Sequence, residues 1–299
     1  MPALRALVLG AAAGGGLPQW NCGCPNCDAA RSGEIAASTQ SSVAFSADGE
    51  TWALFNASPD LRQQLATAPA LHPRSIRHSP IASVLLTNGD LDHIAGLLTL
   101  RERQPFRLLA TAEILKALAD NPVFQALDPS LVIREAIALE QPVSLAKGLT
   151  ARLFAVPGKV PLYLEGETVD TALEGEQTVG VEVEAAGSRA YYIPGCALLT
   201  PALAERLRGA DLLFFDGTLW TDDEMQRLGL GAKTGRRMGH MPISGDGGSL
   251  EAFAGLPITQ KVYVHLNNSN PLWRPEAPQR QAVQAAGWQV AHDGMEVVL

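Results

Sequence analysis

Long hydrophobic runs are missing from this chain. No apolar stretch among its 299 residues reaches the roughly 20 that cross a bilayer, so a membrane-spanning helix has no candidate. Basic runs are short too. None exceeds Arg236-Arg237, and the net charge is −8, which argues against nucleic acid as the main partner. Cysteine is scarce, with four residues, three of them crowded at 22, 24 and 27, and that is no disulfide framework. The glycine-rich stretch 10–16 lacks the Gly-Lys-Ser/Thr of a phosphate loop, which removes the usual nucleotide cradle. Residues 4–13 are apolar but carry only Arg5 and no cleavage pattern. They read as a first strand and a glycine turn, in a protein expected to be cytoplasmic.

What is present is an apolar fraction of 46%, ample for a sizeable core. Strand-like segments 42–45 and 51–55 flank Ala47-Asp48-Gly49, and segments 178–184 and 189–193 flank Ala186-Gly187, so each pair predicts a hairpin. Ser58-Pro59 predicts a helix start, Ser as cap and Pro at the first position, running towards Leu71. Thr111 and Thr200-Pro201 predict two more. Residues 121–141, broken by Pro122 and Pro129, give no clear element.

The chain is organised around residues 81–98. An apolar run to Leu86 predicts a buried strand, Asn88-Gly89-Asp90 a turn, and Ile94, Leu97 and Leu98 a helix. Asp90, Asp92 and His93 therefore fall where a strand end meets a helix start. Two carboxylates and an imidazole there suit a hard or borderline metal. The plainer alternative has Asp90 or Asp92 capping the helix and His93 packed in the core. A second cluster is Cys22-x-Cys24-x-x-Cys27. Three soft thiolates in one turn suit tetrahedral zinc, which then requires one more ligand. Residues 217–248 form a long glycine-rich loop with Lys233, Arg236 and Arg237, the kind of segment that serves as a lid or binding loop.

The heptapeptide Thr87-Asn88-Gly89-Asp90-Leu91-Asp92-His93 resembles the His-x-His-x-Asp-His motif of the metallo-β-lactamase superfamily, with Asn88 and Asp90 in place of its first two histidines. Together with Asn56-Ala57-Ser58-Pro59-Asp60-Leu61 and Gly239-His240-Met241-Pro242-Ile243-Ser244, it resembles the coenzyme PQQ biosynthesis protein B family over nearly the whole chain. The resemblance implies an α/β protein, a four-layer αββα sandwich forming a single domain over 1–299, with metal at one edge. It implies that His265, at the end of the last core strand, is the final metal histidine. Lys159 and the Gly195-Cys196 pair fall where hydrolases of the superfamily have a further histidine and a bridging aspartate. The surviving ligands are then Asp92, His93 and His265, with Asp90 as a possible fourth and Asp216 as a residue orienting a histidine or water. Related phosphodiesterases pair the cysteine motif with a lid-loop histidine, which points to His240 as the fourth zinc ligand.

The family resemblance implies a step in making pyrroloquinoline quinone (PQQ), from a glutamate cross-linked to a tyrosine whose ring must be hydroxylated. Two histidines and one carboxylate with open positions suit iron(II) and oxygen, or one zinc and a water. Spacing does not choose between them. Three readings follow: an iron-dependent oxygenase acting on the small peptide-derived precursor, a zinc hydrolase, and a soluble carrier in PQQ transport. Other PQQ biosynthesis proteins are the expected partners.

Overall fold

The computed structural model of the chain describes residues 3–166 and 170–299. The first half supplies β1 (Arg5–Gly10), β2 (Ser42–Ser46), β3 (Trp52–Phe55), β4 (Ile81–Leu85), β5 (Phe106–Ala110) and β6 (Val132–Ala136). The second half supplies β7 (Pro142–Ala146), β8 (Leu149–Ala155), β9 (Val179–Ala185), β10 (Ser188–Ile193), β11 (Leu212–Asp216), β12 (Gln260–Val264), β13 (Trp288–Val290) and β14 (Glu296–Val298). They form two sheets, ordered β14-β1-β2-β3-β4-β5-β6 and β13-β12-β11-β10-β9-β8-β7. Each sheet is antiparallel at one side and parallel at the other, with β3 to β6 parallel in the first and β10 to β13 parallel in the second.

The sheets meet through aromatic side chains. Phe45 on β2 contacts Phe214 on β11 edge-on at 6.1 Å between centroids, and Phe55 on β3 meets Tyr192 on β10 at 5.9 Å. All four are fully buried, and such pairs contribute beyond their buried area. Helices Leu61–Thr67, Ala112–Ala119, Pro201–Leu207 and Pro278–Ala285 complete the expected four-layer αββα sandwich. No described helix is long and apolar enough to cross a membrane.

Three local expectations are revised. The α-helix after Pro59 starts only at Leu61 and ends at Thr67, followed by a 3-10 turn, Pro69–Leu71. Ser58 does not cap it, because its hydroxyl donates to the Gln64 side chain at 3.1 Å. The stretch 121–141 contains β6, an edge strand pairing parallel with β5. Its prolines sit in the turns before it, where no ladder hydrogen bond is lost.

The parallel strands place the site. Their carboxyl ends share one edge, and from it hang 87–93 after β4, Gly195 after β10, Thr218 after β11 and His265 after β12. The metal-motif loop is fixed from below by Gly96, where a Cβ would lie 2.0 Å from the Ser58 carbonyl oxygen and 2.8 Å from that of Ala57. The Gly96 N–H donates to the Ala57 oxygen at 2.9 Å, so the two segments touch backbone to backbone. Gly96→Ala should therefore cost about 3 kcal/mol, the upper end for overpacking, read as a lower denaturation midpoint. An unchanged midpoint would contradict this packing.

Candidate metal centre

Asp92, His93 and His265 converge from two sheets. The Asp92 Oδ2 oxygen lies 3.1 Å from His265 Nε2 and 3.8 Å from His93 Nε2. The two imidazole rings are 5.3 Å apart at 70°. Asp92 is largely withdrawn from water, its side chain 17% exposed, and both histidines are buried. Burial disfavours the Asp92 charge, but His93 and His265 overcome it and hold the carboxyl well below its usual range. Burial pushes His93 down to about 4, keeping it neutral near pH 7. Burial also works against charge on His265, yet the Asp92 hydrogen bond and the nearby carboxylates raise it.

Each histidine has its second nitrogen held. Asn88 Oδ1 accepts the Asp90 N–H at 3.1 Å and lies 2.7 Å from His93 Nδ1. An amide oxygen only accepts, so Nδ1 of His93 carries the proton and Nε2 presents a lone pair. That Nε2 is buried with no hydrogen-bond partner among the described residues. On the other side, the Thr218 hydroxyl donates to Asp216 Oδ1 at 2.7 Å and sits 2.8 Å from His265 Nδ1. His265 has φ of 59°, a left-handed conformation that costs a non-glycine residue energy and recurs at functional sites. Gly14 lies over the carboxylate, where a Cβ would stand 3.5 Å from Asp92, in ordinary contact.

The cluster opens into a cavity of about 470 Å³. Asp90 lines it but is not one of the clustered donors. Its Oδ1 accepts the Leu162 N–H at 3.3 Å, and neither Asp90 nor Asp92 caps a helix through its side chain as the plainer reading had it. Burial and the neighbouring Asp92 raise Asp90. The Gly195-Cys196 alternative resolves towards Gly195: a Cβ there would point at His240, 3.5 Å away, whereas buried Cys196 turns its thiol to the Leu198 carbonyl. No side chain of residue 195 is thus available to bridge. Asp216 is buried, accepts from His240 Nδ1 directly, and accepts from the Thr218 hydroxyl that contacts His265 Nδ1.

His240 corrects the expectation for the cysteine cluster. It lies away from the sulfurs, donating from Nδ1 to Asp216 Oδ2 at 2.7 Å and stacking on His265 at 5.2 Å. The physical reason is the backbone: Met241 N–H is tied to the Cys196 carbonyl at 2.7 Å and His240 N–H to Gly235, which turns the side chain into the cavity. Cys22, Cys24 and Cys27 do gather, and what faces them is Asn268, whose amide nitrogen lies 3.2, 3.4 and 3.3 Å from the three sulfurs. Burial pushes the Cys27 thiol up to about 11, with Cys24 adding to it. Three such sulfurs ionise together readily only around a cation, and the Asn268 amide, which turns its nitrogen to them here, would have to turn over for its oxygen to meet one. The signal in the sequence was the spacing His265-x-x-Asn268, which carries one residue to each cluster.

The Beta-lactamase superfamily domain matches residues 51–266. Coenzyme PQQ synthesis protein B of Rhizobium meliloti is 59% identical over 298 residues, covering 99% of this chain and 98% of the relative. That of Ruegeria pomeroyi is 59% identical over 296 residues, covering 99% and 100%. The chain belongs to the coenzyme PQQ synthesis protein B family. The crystal structure of Zn²⁺-bound PqqB from Methylobacterium extorquens superposes with a TM-score of 0.97 at 51% identity, over 99% of this chain and 100% of that one. A diphosphatase from the PhnP family shares the fold, with a TM-score of 0.68 at 21% identity over 99% and 97%.

The two clusters make separable demands. Cys24→Ser should lower bound zinc by one equivalent in elemental analysis, while His240→Ala should leave that equivalent in place. Loss of the cysteine-bound zinc in His240→Ala would reverse the correction.

Proposed function

We propose that the chain acts in PQQ synthesis, in the cytoplasm, as an iron(II)- and oxygen-dependent hydroxylase of the tyrosine ring in a cross-linked glutamate–tyrosine precursor. The observation that carries this reading is the donor set. Asp92 Oδ2, His265 Nε2 and the unpartnered, buried His93 Nε2 face one another with a cavity on their open side. Two histidines and one carboxylate with free positions fit non-haem iron(II). Bound there, iron(II) supplies the one-electron chemistry that dioxygen requires and that side chains lack. In the same reading a structural zinc is held by Cys22, Cys24, Cys27 and Asn268.

The protein's own residues orient and hold. Asn88 keeps the His93 proton on Nδ1, so that Nε2 stays available as a ligand. Asp216 and Thr218 hold His265 from behind. His240, paired to Asp216 and facing the cavity, presents Nε2 as a proton carrier for a phenol. The missing bridge at Gly195 speaks against a dinuclear hydroxide and against the hydrolase alternative. Each ring hydroxylation replaces one C–H by C–OH with one atom of dioxygen. The other atom leaves as water, and the two electrons and two protons this consumes come from an external reductant of the ascorbate or thiol class.

Two experiments test the reading. Asn88→Ala should weaken iron(II) binding about 10- to 100-fold, the usual cost of losing a partner that orients a metal ligand, measured by anaerobic titration. Unchanged affinity would remove Asn88 from the account. Iron-loaded protein, reductant and the cross-linked dipeptide under ¹⁸O₂ should give a labelled, hydroxylated ring by mass spectrometry. Peptide cleavage without oxygen uptake would establish the hydrolase, and tight binding of an unchanged ligand the carrier.

A further inference from the structure

The cavity that holds the metal-ligand cluster is also lined by a knot of charges that neither the donor set nor the fold requires. Lys159, Lys233 and Arg237 converge on one carboxylate, Glu165. Lys159 Nζ lies 2.9 Å from Glu165 Oε1, while Lys233 Nζ and Arg237 Nη2 each lie 3.3 Å from Oε2. Lys159, Glu165 and Lys233 line the same cavity as Asp92 and His265. The inner pair is not a solvated surface contact, since the side chains of Lys159 and Glu165 are only 12% and 8% exposed. Burial works against the Glu165 charge, yet the lysines hold the carboxyl down to about 2. Asp90 and Asp92 also line the cavity, and Lys159 favours the Asp90 charge as well. Three cations thus share the one carboxylate of Glu165, in a chain whose net charge is −8. A burial-paired lysine ordinarily has its own counter-ion, and here one is shared three ways.

Glu165 reaches this position at the end of a short exposed turn, Leu162–Leu164. The turn's side chains do not pack into the core: Leu162 is 62% exposed and Leu164 50%. Two side-chain contacts tie the turn to the metal-motif loop, Tyr163 Oη donating to the Gly89 carbonyl at 2.9 Å and the Leu162 N–H donating to Asp90. Glu165 is thus a carboxylate delivered into a cationic pocket by a turn with few other attachments among the described residues.

We propose that Lys159, Lys233 and Arg237 form a carboxylate-binding subsite, and that Glu165 is its internal occupant, exchanged for a carboxylate of the ligand when that ligand enters the cavity. The subsite takes a polycarboxylate whose reacting portion extends towards Asp92, His93 and His265. Arginine and lysine around one carboxylate give the charge-assisted hydrogen bonds such a group seeks. The identity of that ligand rests on the proposed reading as a PQQ-pathway enzyme; the carboxylate chemistry of the subsite does not.

The test is calorimetric titration of the protein as purified, without oxygen, using the cross-linked glutamate–tyrosine dipeptide and its fully esterified form as probes. The acid should bind about tenfold or more tighter than the ester, because buried charge pairs lose heavily when one partner is neutralised. Glu165→Gln removes the competing charge and should tighten the acid severalfold while leaving the ester unchanged. Arg237→Ala, at a side chain 40% exposed and therefore safe for folding, should weaken the acid and not the ester. Equal binding of acid and ester by the unaltered protein would overturn the subsite. So would a Glu165→Gln protein, folded by circular dichroism, whose affinity for the acid is unchanged or lower. Because no turnover is read, selective acid binding without ring hydroxylation would count against the oxygenase alone, and hydroxylation without acid selectivity against the subsite alone.

Discussion

A carboxylate withdrawn from water has to be met by positive charge or proton donors, and Asp92 is where this protein concentrates that demand. An unmatched buried ion costs several kcal/mol. Asp92 is met by two imidazoles that answer differently. His93, pushed neutral by burial, offers a lone pair, while His265, raised by its acidic neighbours, offers a proton along the line to Asp92 Oδ2. That proton occupies the place of a cation. Around this point the chain accepts constraints it has no other reason to accept: Gly96 pressed on the Ala57-Ser58 backbone and a left-handed His265.

The same arrangement explains why one metal suits the site better than two. His265 belongs to both groups of donors, one with Asp92 and His93 and one with Asp216 and His240. Its two nitrogens are already divided between them, Nε2 towards Asp92 and Nδ1 towards Thr218 and so to Asp216. Asp216 is further occupied by the Cys196 and Thr218 N–H groups and by His240. Its carboxylate is spent on orientation. With Gly195 where a bridge would stand and Asn88 turned from a ligand into a support for His93, the second group of donors has only His240 and Asp216 besides the histidine it shares with the first.

Much of this was readable from residue patterns. The αββα architecture and the meeting of Asp92, His93 and His265 were implied by the family resemblance, carried by motifs at strand ends, while the clustering of the three cysteines was implied by their spacing alone. What escaped depends on where a loop turns its side chains. His240 follows a glycine whose φ of 88° sets the chain's direction, and nothing in Gly-His-Met-Pro announces which cluster it will face. Asn268 was overlooked because an amide is a less usual partner for thiolates than a histidine. The Glu165 pocket joins that residue to Lys233 and Arg237, 68 and 72 positions away, through irregular segments, a pairing with no periodic signal. The edge strand β6 was hidden by prolines that interrupt only the turns before it.

The central claim is that a single metal sits between Asp92, His93 and His265 while zinc is confined to the cysteine cluster. Crystals of protein loaded anaerobically with iron(II), measured at the iron and zinc absorption edges, test it most directly. The account predicts one iron peak bounded by Asp92, His93 and His265 and one zinc peak bounded by Cys22, Cys24, Cys27 and Asn268. Two metal peaks in the cavity, or a single one held by Asp216 and His240 instead, would contradict it.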